Sequence, residues 1–430
     1  MNKIVSFNSK QIIRKKYIFR NRPVKIQAES VLFPCISLYD RETDILVACP
    51  GFERWYLKLA EAEAMASSTL QKRAYNICSF LNFILWDTSC DSLNEVTLND
   101  IRQFILKFKN VDAENVRDLQ SWNRGIADVY NFLLRYYEYN KEILDFAYLP
   151  EELFSINVVK DAKTGRKSIV RSYNKFSVKA PPKQKKKNRL LVYGYLDFML
   201  YEASKYDPML ALGIALQSYA GLREGEIVNL TRSSIQQIYA GFGQIGKITI
   251  DLTKEAPFSA DGKTEFGSIK KYRRQEVYPD FILAIKKHLE KHEGILAYNG
   301  ASEAPDAPLF INKWNRPLSV TSYCGRLRSL FRNHFLPDLQ RVCMETGTWA
   351  ENAPYIEAYQ EEYPGAHMFR HWFTMYLVTK TDLSCEEIAK WRGDSSIESM
   401  MSYIHVNADM LTLYKDSSYK FQKSLLEEIL

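Results

Sequence analysis

Cysteine is scarce in this sequence and follows no pattern. The seven residues stand singly, without a CxxC pair or a short repeated spacing: Cys35, Cys49, Cys78, Cys90, Cys324, Cys343 and Cys385. Structural zinc sites and the disulfide frameworks of small secreted domains have characteristic short cysteine spacings, which are missing here, so neither is indicated. We expect reduced thiols that belong to the core.

Long apolar segments are also missing. No apolar run reaches the roughly 18 residues that a membrane-spanning helix needs. Residues 1–10 lack the apolar stretch of a signal peptide. We therefore expect a soluble, cytoplasmic protein with no membrane partner.

The length and composition are those of a globular protein. With 430 residues, 46% of them hydrophobic and 25% charged, the chain can form two or three domains of roughly 100 to 150 residues. Its formal net charge of +7 favours a polyanionic partner only weakly. The distribution of that charge is more informative.

Positive charge is concentrated in residues 160–189. This segment has twelve Lys and Arg residues against one acidic residue, Asp161. Pro181 and Pro182 interrupt it, so we predict an extended basic linker. The linker is either a solvated tether or a strap that contacts phosphates between two domains. The candidate contacts are Lys183, Lys185, Lys186, Lys187 and Arg189.

Residues 55–159 have a helical pattern. Apolar residues recur at steps of three and four after the capping signal Ser67–Thr69, Thr97 opens a second helix, and a third is predicted over Ser121–Tyr139. Amphipathic helices with short loops form a small helical domain. Residues 1–54 are a basic segment with short β-type runs. They form either an accessory arm or a strand pair packed on the helical domain.

Residues 190–430 combine helices with strands. Helices are predicted over Tyr195–Tyr206 and Met209–Tyr219, the second ending near a glycine. Helices dominate again from Phe281 onward, including a long insertion at 335–363 for which the sequence suggests no role.

Strand patterns lie between those helices. Lys247–Leu252 alternates in the manner of a strand, and Arg273–Pro279 follows as its predicted partner. The predicted fold class is therefore mainly α with a small antiparallel β-sheet.

Two arginines and a histidine stand in positions suited to phosphate chemistry. Arg223 follows a predicted helix end, where its guanidinium can donate to two phosphate oxygens, and Glu226 can orient it. His367 and Arg370 are three apart on a predicted helix, so both face one side of it. A histidine can move a proton while an arginine holds negative charge.

Tyr403 is the candidate nucleophile. It follows a helix-like stretch at 396–401, but the chain has 27 tyrosines. Ionising a tyrosine of ordinary pKa at pH 7 costs roughly 4 kcal/mol, so this residue needs activating neighbours.

Three motifs in this order resemble those of the tyrosine recombinase, or phage integrase, family. Ala220–Glu226 (AGLREGE) matches its first arginine box, His367–Arg370 (HMFR) its His-x-x-Arg box, and Gly393–Tyr403 (GDSSIESMMSY) its nucleophile box. The resemblance covers roughly residues 60–410. It implies an N-terminal helical core-binding (SAM-like) domain at 55–159 and a C-terminal catalytic domain at 190–430.

One position departs from the family pattern. The family usually has His or Trp after the glycine of the nucleophile box, whereas this chain has Asp394. An ionised aspartate can accept a hydrogen bond and buttress the site, but it cannot donate to a phosphate. His371, Trp391 and Arg392 are alternatives for the missing donor.

The family also has a catalytic lysine in a β-hairpin, commonly seven residues before a strand valine. Counting back from Val277 gives Lys270. Lys271 and Lys263 remain alternatives.

The resemblance implies a site-specific recombinase that cleaves and rejoins double-stranded DNA through a 3′-phosphotyrosyl intermediate. Tyr403 would attack, Arg223 and Arg370 would stabilise the transition state, His367 would assist deprotonation, and the hairpin lysine would protonate the leaving oxygen. The basic linker would contact DNA. No metal, ATP or other cofactor is implied. The family also implies a homotetramer on paired DNA sites, with the tail after Tyr403 docking on a neighbouring protomer, in a mobile genetic element.

Two rival functions remain. A type IB topoisomerase uses the same tyrosine chemistry to relax supercoils. A DNA-binding protein that has lost cleavage is the other rival, and Asp394 is the one residue of the sequence that suggests it.

Overall fold

The computed structural model describes residues 15–26, 29–52, 55, 67–111, 116–153, 155–160, 167–172, 176, 178–182, 190–240, 244–254, 256, 258 and 269–394. Within these ranges, no helix is both long enough and apolar enough to cross a bilayer. The chain divides into two compact units, Met1–Lys185 and Lys186–Leu430, and each has its own hydrophobic core. Some predicted features lie outside the described residues: Tyr403 and the tail after it, Lys263, Lys183, Lys185, Lys186, Lys187 and Arg189.

The first unit begins with a three-stranded antiparallel sheet. Its strands lie in the order β1 (Lys15–Ile26), β2 (Glu29–Asp40) and β3 (Leu46–Ala48). Of the two expectations for residues 1–54, the structure shows the strand pair. A role as a DNA-contacting arm stays a prediction.

Helices complete the core of the first unit. They are α1 (Ser67–Asp87), α2 (Leu98–Lys109), α3 (Leu119–Asn140) and the short α4 (Pro150–Leu153). The three predicted helices are confirmed as α1, α2 and α3, whereas α4 was not predicted. Thr97 caps α2 in a reciprocal pair with Asp100. The β-sheet packs on α1 through Asn82, which accepts from the Tyr17 N–H at 2.7 Å and donates to the Tyr17 carbonyl at 3.0 Å.

Part of the predicted linker is a β-hairpin. Strands β4 (Ser155–Lys160) and β5 (Lys167–Ser172) pair antiparallel, with Lys160 opposite Lys167. The predicted linker therefore contains a paired strand, β5, where an unpaired chain was expected. Its partner β4 begins before the basic segment, so a pattern confined to that segment did not reveal the pairing.

The second unit opens with helices that lead to the candidate site. They are α5 (Tyr195–Tyr206), α6 (Pro208–Tyr219) and the one-turn α7 (Glu224–Ile227). Every residue from Met209 to Tyr219 is buried, so α6 is the central helix of this core. The two predicted helices are confirmed.

A small antiparallel sheet follows, in the order β6 (Ile235–Tyr239), β7 (Ile245–Leu252) and β8 (Arg273–Glu276). The predicted pairing of the last two strands is confirmed, with Ile250 opposite Gln275. Strand β6 was not predicted. The fold class, mainly α with small antiparallel sheets, is confirmed.

Six further α-helices complete the described part of the second unit. They are α8 (Ile282–Tyr298), α9 (Val320–Leu330), α10 (Leu336–Glu345), α11 (Trp349–Glu361), α12 (His367–Lys380) and α13 (Cys385–Arg392). Three of them, α8, α9 and α12, contact α6. The insertion at 335–363 is helical as predicted. Its α11 packs at the start of α5, where the Tyr359 hydroxyl donates to the Leu190 carbonyl at 2.6 Å.

The cysteines fit the core prediction only in part. Cys78 and Cys343 are buried, whereas Cys49 is exposed. The expectation that all seven cysteines belong to the core was therefore wrong. A cysteine side chain is small, so exposing it to water costs little free energy of apolar burial.

Candidate active site

Arg223 is positioned by the end of α6. Gly221 has a positive φ of 66°, which reverses the chain after the helix and which glycine adopts without strain. Arg223 then becomes the residue before α7. Its N–H donates to Glu226 Oε2 at 2.9 Å and its Nη1 to Glu226 Oε1 at 3.2 Å. Glu226 therefore orients both the backbone and the guanidinium of Arg223.

Arg370 reaches the same place from helix α12. Its side chain is only 1% exposed, and its Nη1 donates to the Gly221 carbonyl. Burial, followed by the charges of Arg223 and Arg392, lowers the pKa of Arg370 to about 9. A buried guanidinium that lies among other cations is stabilised by an anion.

The carboxylate of Asp394 lies between the two arginines. Its Oδ1 accepts from Arg370 Nη2 at 2.7 Å and from Arg223 Nη2 at 2.9 Å. Its Oδ2 is 3.2 Å from Arg392 Nε. Because a single oxygen receives hydrogen bonds from both arginines, their guanidiniums converge on one point in space. That arrangement is suited to binding one anionic group.

Sequence reasoning did not identify Arg273. It projects from β8, and its Nη1 and Nη2 donate to the two Glu226 oxygens at 2.9 and 3.0 Å. Burial acts to raise the pKa of Glu226, but the hydrogen bonds and charge of Arg273, together with Arg223, lower it overall. Strand alternation puts Arg273 on the same face as Gln275, but no local pattern indicates that this face meets Glu226.

Gln275, two residues after Arg273 on β8, contacts the end of α13. Its Nε2 donates to the Trp391 carbonyl at 2.7 Å, close to the C-terminus of α13. Strand β8 therefore contacts two segments of the site. Arg273 binds Glu226, which orients Arg223, and Gln275 binds the end of α13, which precedes Asp394.

The charges of this cluster do not cancel. Four guanidiniums, from Arg223, Arg273, Arg370 and Arg392, surround the carboxylates of Glu226 and Asp394. An excess of two positive charges in a largely buried site attracts an anion. Among the described residues, no group of His, Cys, Asp and Glu side chains is arranged to hold a metal ion.

His367 lies at the start of α12, beside Glu224. Its Nδ1 is 4.0 Å from Glu224 Oε2, and its ring is 4.7 Å from that of His371. Interaction with His367 lowers the pKa of Glu224, burial opposes that shift, and the charge of Lys270 adds to it. Glu224 is a second residue that the sequence did not single out.

The predicted site residues thus fall into three groups. Arg223, Arg370, Asp394 and Glu226 meet in one hydrogen-bonded cluster. His367 lies next to that cluster in sequence and contacts Glu224, while Lys270 is exposed and acts on Glu224 through its charge. Tyr403 lies outside the described residues.

The alternatives to Asp394 are also described. His371 and Arg392 are buried, and Trp391 packs against Tyr278 with ring centroids 5.1 Å apart. Lys271, the alternative to Lys270, is half-buried.

The sequence matches no protein-family model and no curated protein. Solved structures do resemble it. An integrase of the Tn1549 transposon, in complex with transposon right-end DNA, is 12% identical over 82% of this chain and 94% of that chain, with a TM-score of 0.48. A lambda integrase dimer bound to a COC′ core site is 13% identical over 85% of this chain and 76% of that chain, with a TM-score of 0.46. The XerA recombinase is 14% identical over 85% of this chain and 98% of that chain, with a TM-score of 0.34.

These identities and TM-scores are too low to assign a function, which has to be inferred from the side chains of the site. The chain is similar to recombinases and integrases of known structure, the class whose motifs its sequence resembles.

Proposed function

We propose that this protein is a site-specific DNA recombinase that cleaves and rejoins DNA through a phosphotyrosyl intermediate. The observation that supports it best is the convergence of Arg223 and Arg370, whose Nη2 atoms both donate to one oxygen at 2.9 and 2.7 Å. Two guanidiniums in that geometry can hold the non-bridging oxygens of a phosphodiester. They would also stabilise the additional charge of its pentavalent transition state.

The reaction we propose balances without an external energy source. The Tyr403 oxygen forms a bond to phosphorus as the bond to the 5′ oxygen breaks, which leaves a 3′-phosphotyrosyl link and a 5′-hydroxyl. His367 takes the tyrosine proton and Lys270 supplies one to the leaving oxygen. One ester replaces another, so the step needs neither ATP nor a metal, and the reverse step rejoins DNA.

The chain following Asp394 is long enough to bring Tyr403 to the arginines. Tyr403 is nine positions beyond Asp394, and an extended chain of that length spans at most about 30 Å. A double-stranded DNA partner follows from this chemistry and from the basic segment 160–189. A homotetramer on paired sites, in a mobile genetic element, is the assembly that the sequence motifs imply.

The test is a covalent adduct between protein and DNA. The full chain is incubated with labelled duplexes from its own genomic neighbourhood in the presence of EDTA, and adducts are resolved under denaturing conditions. We expect an adduct with the wild-type protein and none with Tyr403→Phe. Tyr414→Phe, a matched change in the same segment, should behave as wild type. An adduct that persists in Tyr403→Phe would refute the assignment of the nucleophile.

A DNA-binding protein without cleavage is the second candidate. The ion pairs of Asp394 with Arg223 and Arg370 favour it, because a carboxylate already holds the donors that a phosphate needs. Salt-sensitive binding of a specific duplex by both wild type and Tyr403→Phe, with no adduct from either, would support this candidate. Relaxation of supercoiled DNA without any site preference would instead indicate a topoisomerase.

A further inference from the structure

Asp394 makes the same contacts in this chain that a bound phosphate oxygen would make. We propose that its carboxylate is an internal anion, which occupies the position between Arg223 and Arg370 until a DNA phosphate displaces it. This inference rests on the proposed function for the identity of the incoming anion. It concerns how the site is regulated, and it assigns Asp394 a role opposite to that of a catalytic donor.

The donors of the two arginines show why the carboxylate and a phosphate compete. Arg370 directs Nη1 to the Gly221 carbonyl and Nη2 to Asp394 Oδ1. Arg223 directs Nη1 to Glu226 and Nη2 to the same Asp394 oxygen. A phosphate oxygen that binds both Nη2 groups has to take the place of Oδ1.

Burial increases the competition. The side chains of Asp394 and Arg370 are 6% and 1% exposed, so little water is present to screen one anion from another. A carboxylate and a phosphate at such a short distance repel each other strongly, because the site has a low dielectric constant. Simultaneous occupancy by the carboxylate and a phosphate is therefore unfavourable.

Displacement of the carboxylate loosens the backbone hydrogen bond that follows α13, while the helix itself stays folded. Gly393 ends α13 with a φ of 64°, and the Asp394 N–H is bonded to the Ala389 carbonyl at 2.9 Å. Arg392 Nε lies 3.2 Å from Oδ2 and offers the displaced carboxylate a cation on its other side.

The experiment is a titration with inorganic phosphate that needs no DNA cleavage. Thermal unfolding of the full chain is followed against phosphate concentration at constant ionic strength, and an apparent dissociation constant is obtained from the stabilisation. Asp394→Asn removes the charge with almost no change of shape. Asp382→Asn, an exposed residue between α12 and α13, changes the net charge equally. Arg223→Gln combined with Asp394→Asn removes one of the two arginines.

We expect Asp394→Asn to bind phosphate about tenfold more tightly than wild type, which corresponds to about 1.4 kcal/mol. Asp382→Asn should match wild type, and the double variant should lose the gain. Equal phosphate affinity of Asp394→Asn and wild type would overturn the proposal, as would a gain that persists without Arg223.

A measurement on the wild-type protein covers the case in which Asp394→Asn does not fold. Addition of a duplex should accelerate hydrogen exchange at the Asp394 amide, because displacement loosens its bond to Ala389; unchanged or slower exchange contradicts the proposal. The phosphate titration is also independent of the adduct test. A tenfold gain in phosphate affinity, together with specific DNA binding but no covalent adduct, would support the internal anion and contradict the recombinase function.

Discussion

The side chain of Arg273 lies directly over Gly393, so that a β-carbon on this glycine would collide with the guanidinium. The same guanidinium holds both oxygens of Glu226. A strand, the loop of Arg223 and the end of α13 therefore meet at one arginine. Asp394 follows Gly393 directly, so the position of its carboxylate depends on this contact.

Replacing Gly393 with alanine should destabilise the protein by about 2 to 4 kcal/mol, since a positive φ and a steric clash act together. Gly300→Ala is the matched control, because Gly300 also has a positive φ but has nothing within 4 Å of the position that the added methyl group would occupy. Gly300→Ala should lower the free energy of unfolding by only about 1 kcal/mol. Urea unfolding measures both, and equal losses would show that Arg273 does not restrict Gly393.

Arg273→Gln should make the stability of the protein less dependent on pH in the acid range. The folded-state pKa of Glu226 is lowered, so its contribution is present above the unfolded pKa and is lost as the pH falls through the folded pKa. Removing Arg273 weakens that contribution, and we expect a loss of about 1 to 3 kcal/mol at pH 7. Arg274→Gln, its exposed neighbour, should cost little.

The measurement is chemical denaturation of both variants at pH 7 and at successively lower pH. The difference between Arg273→Gln and wild type should shrink as Glu226 becomes protonated in wild type. A difference that stays constant with pH would mean that Arg273 stabilises the fold only through packing.

Glu224→Gln should slow adduct formation without weakening DNA binding. Glu224 Oε2 is 4.0 Å from His367 Nδ1 and also interacts with the charge of Lys270, so its charge acts on both residues of the proposed proton transfers. We expect a rate about tenfold lower, at the lower end of general acid–base effects. Glu386→Gln, an exposed change at the start of α13, is the control. Loss of DNA affinity with an unchanged rate would contradict this role.

Glu202→Gln should stabilise the protein at neutral and alkaline pH. Burial, followed by the charge of Asp338, raises the pKa of Glu202 from its ordinary value of 4.5 to about 7. Because the folded state holds this proton more tightly, wild-type stability falls as the pH rises from about 4.5 to about 7. The glutamine avoids that loss, and we expect a gain of about 1 to 3 kcal/mol at pH 8.

Denaturation at pH 4 provides the comparison for this variant. Glu202 is protonated there in both folded and unfolded protein, so Glu202→Gln and wild type should differ little. A gain at pH 4 as large as that at pH 8 would contradict an origin in the carboxylate charge.

The local elements of this fold were predictable from sequence, because their signals lie within a few residues. Thr97 accepts from the Asp100 N–H to begin a helix, and Gly221 ends one with a positive φ. Strand β6 and the hairpin of β4 with β5 were missed. A strand is stabilised by partners distant in sequence, so its own residues carry less information.

The sequence by itself determined which residues could bind a phosphate and the spacing of His367 and Arg370 along one helix. Only the tertiary structure decided that Asp394 joins Arg223, 171 residues away, and that Arg273 holds Glu226 across 47 residues. Helical spacing is local geometry, whereas these ion pairs form only when the core brings separate segments together and removes water from between their charges.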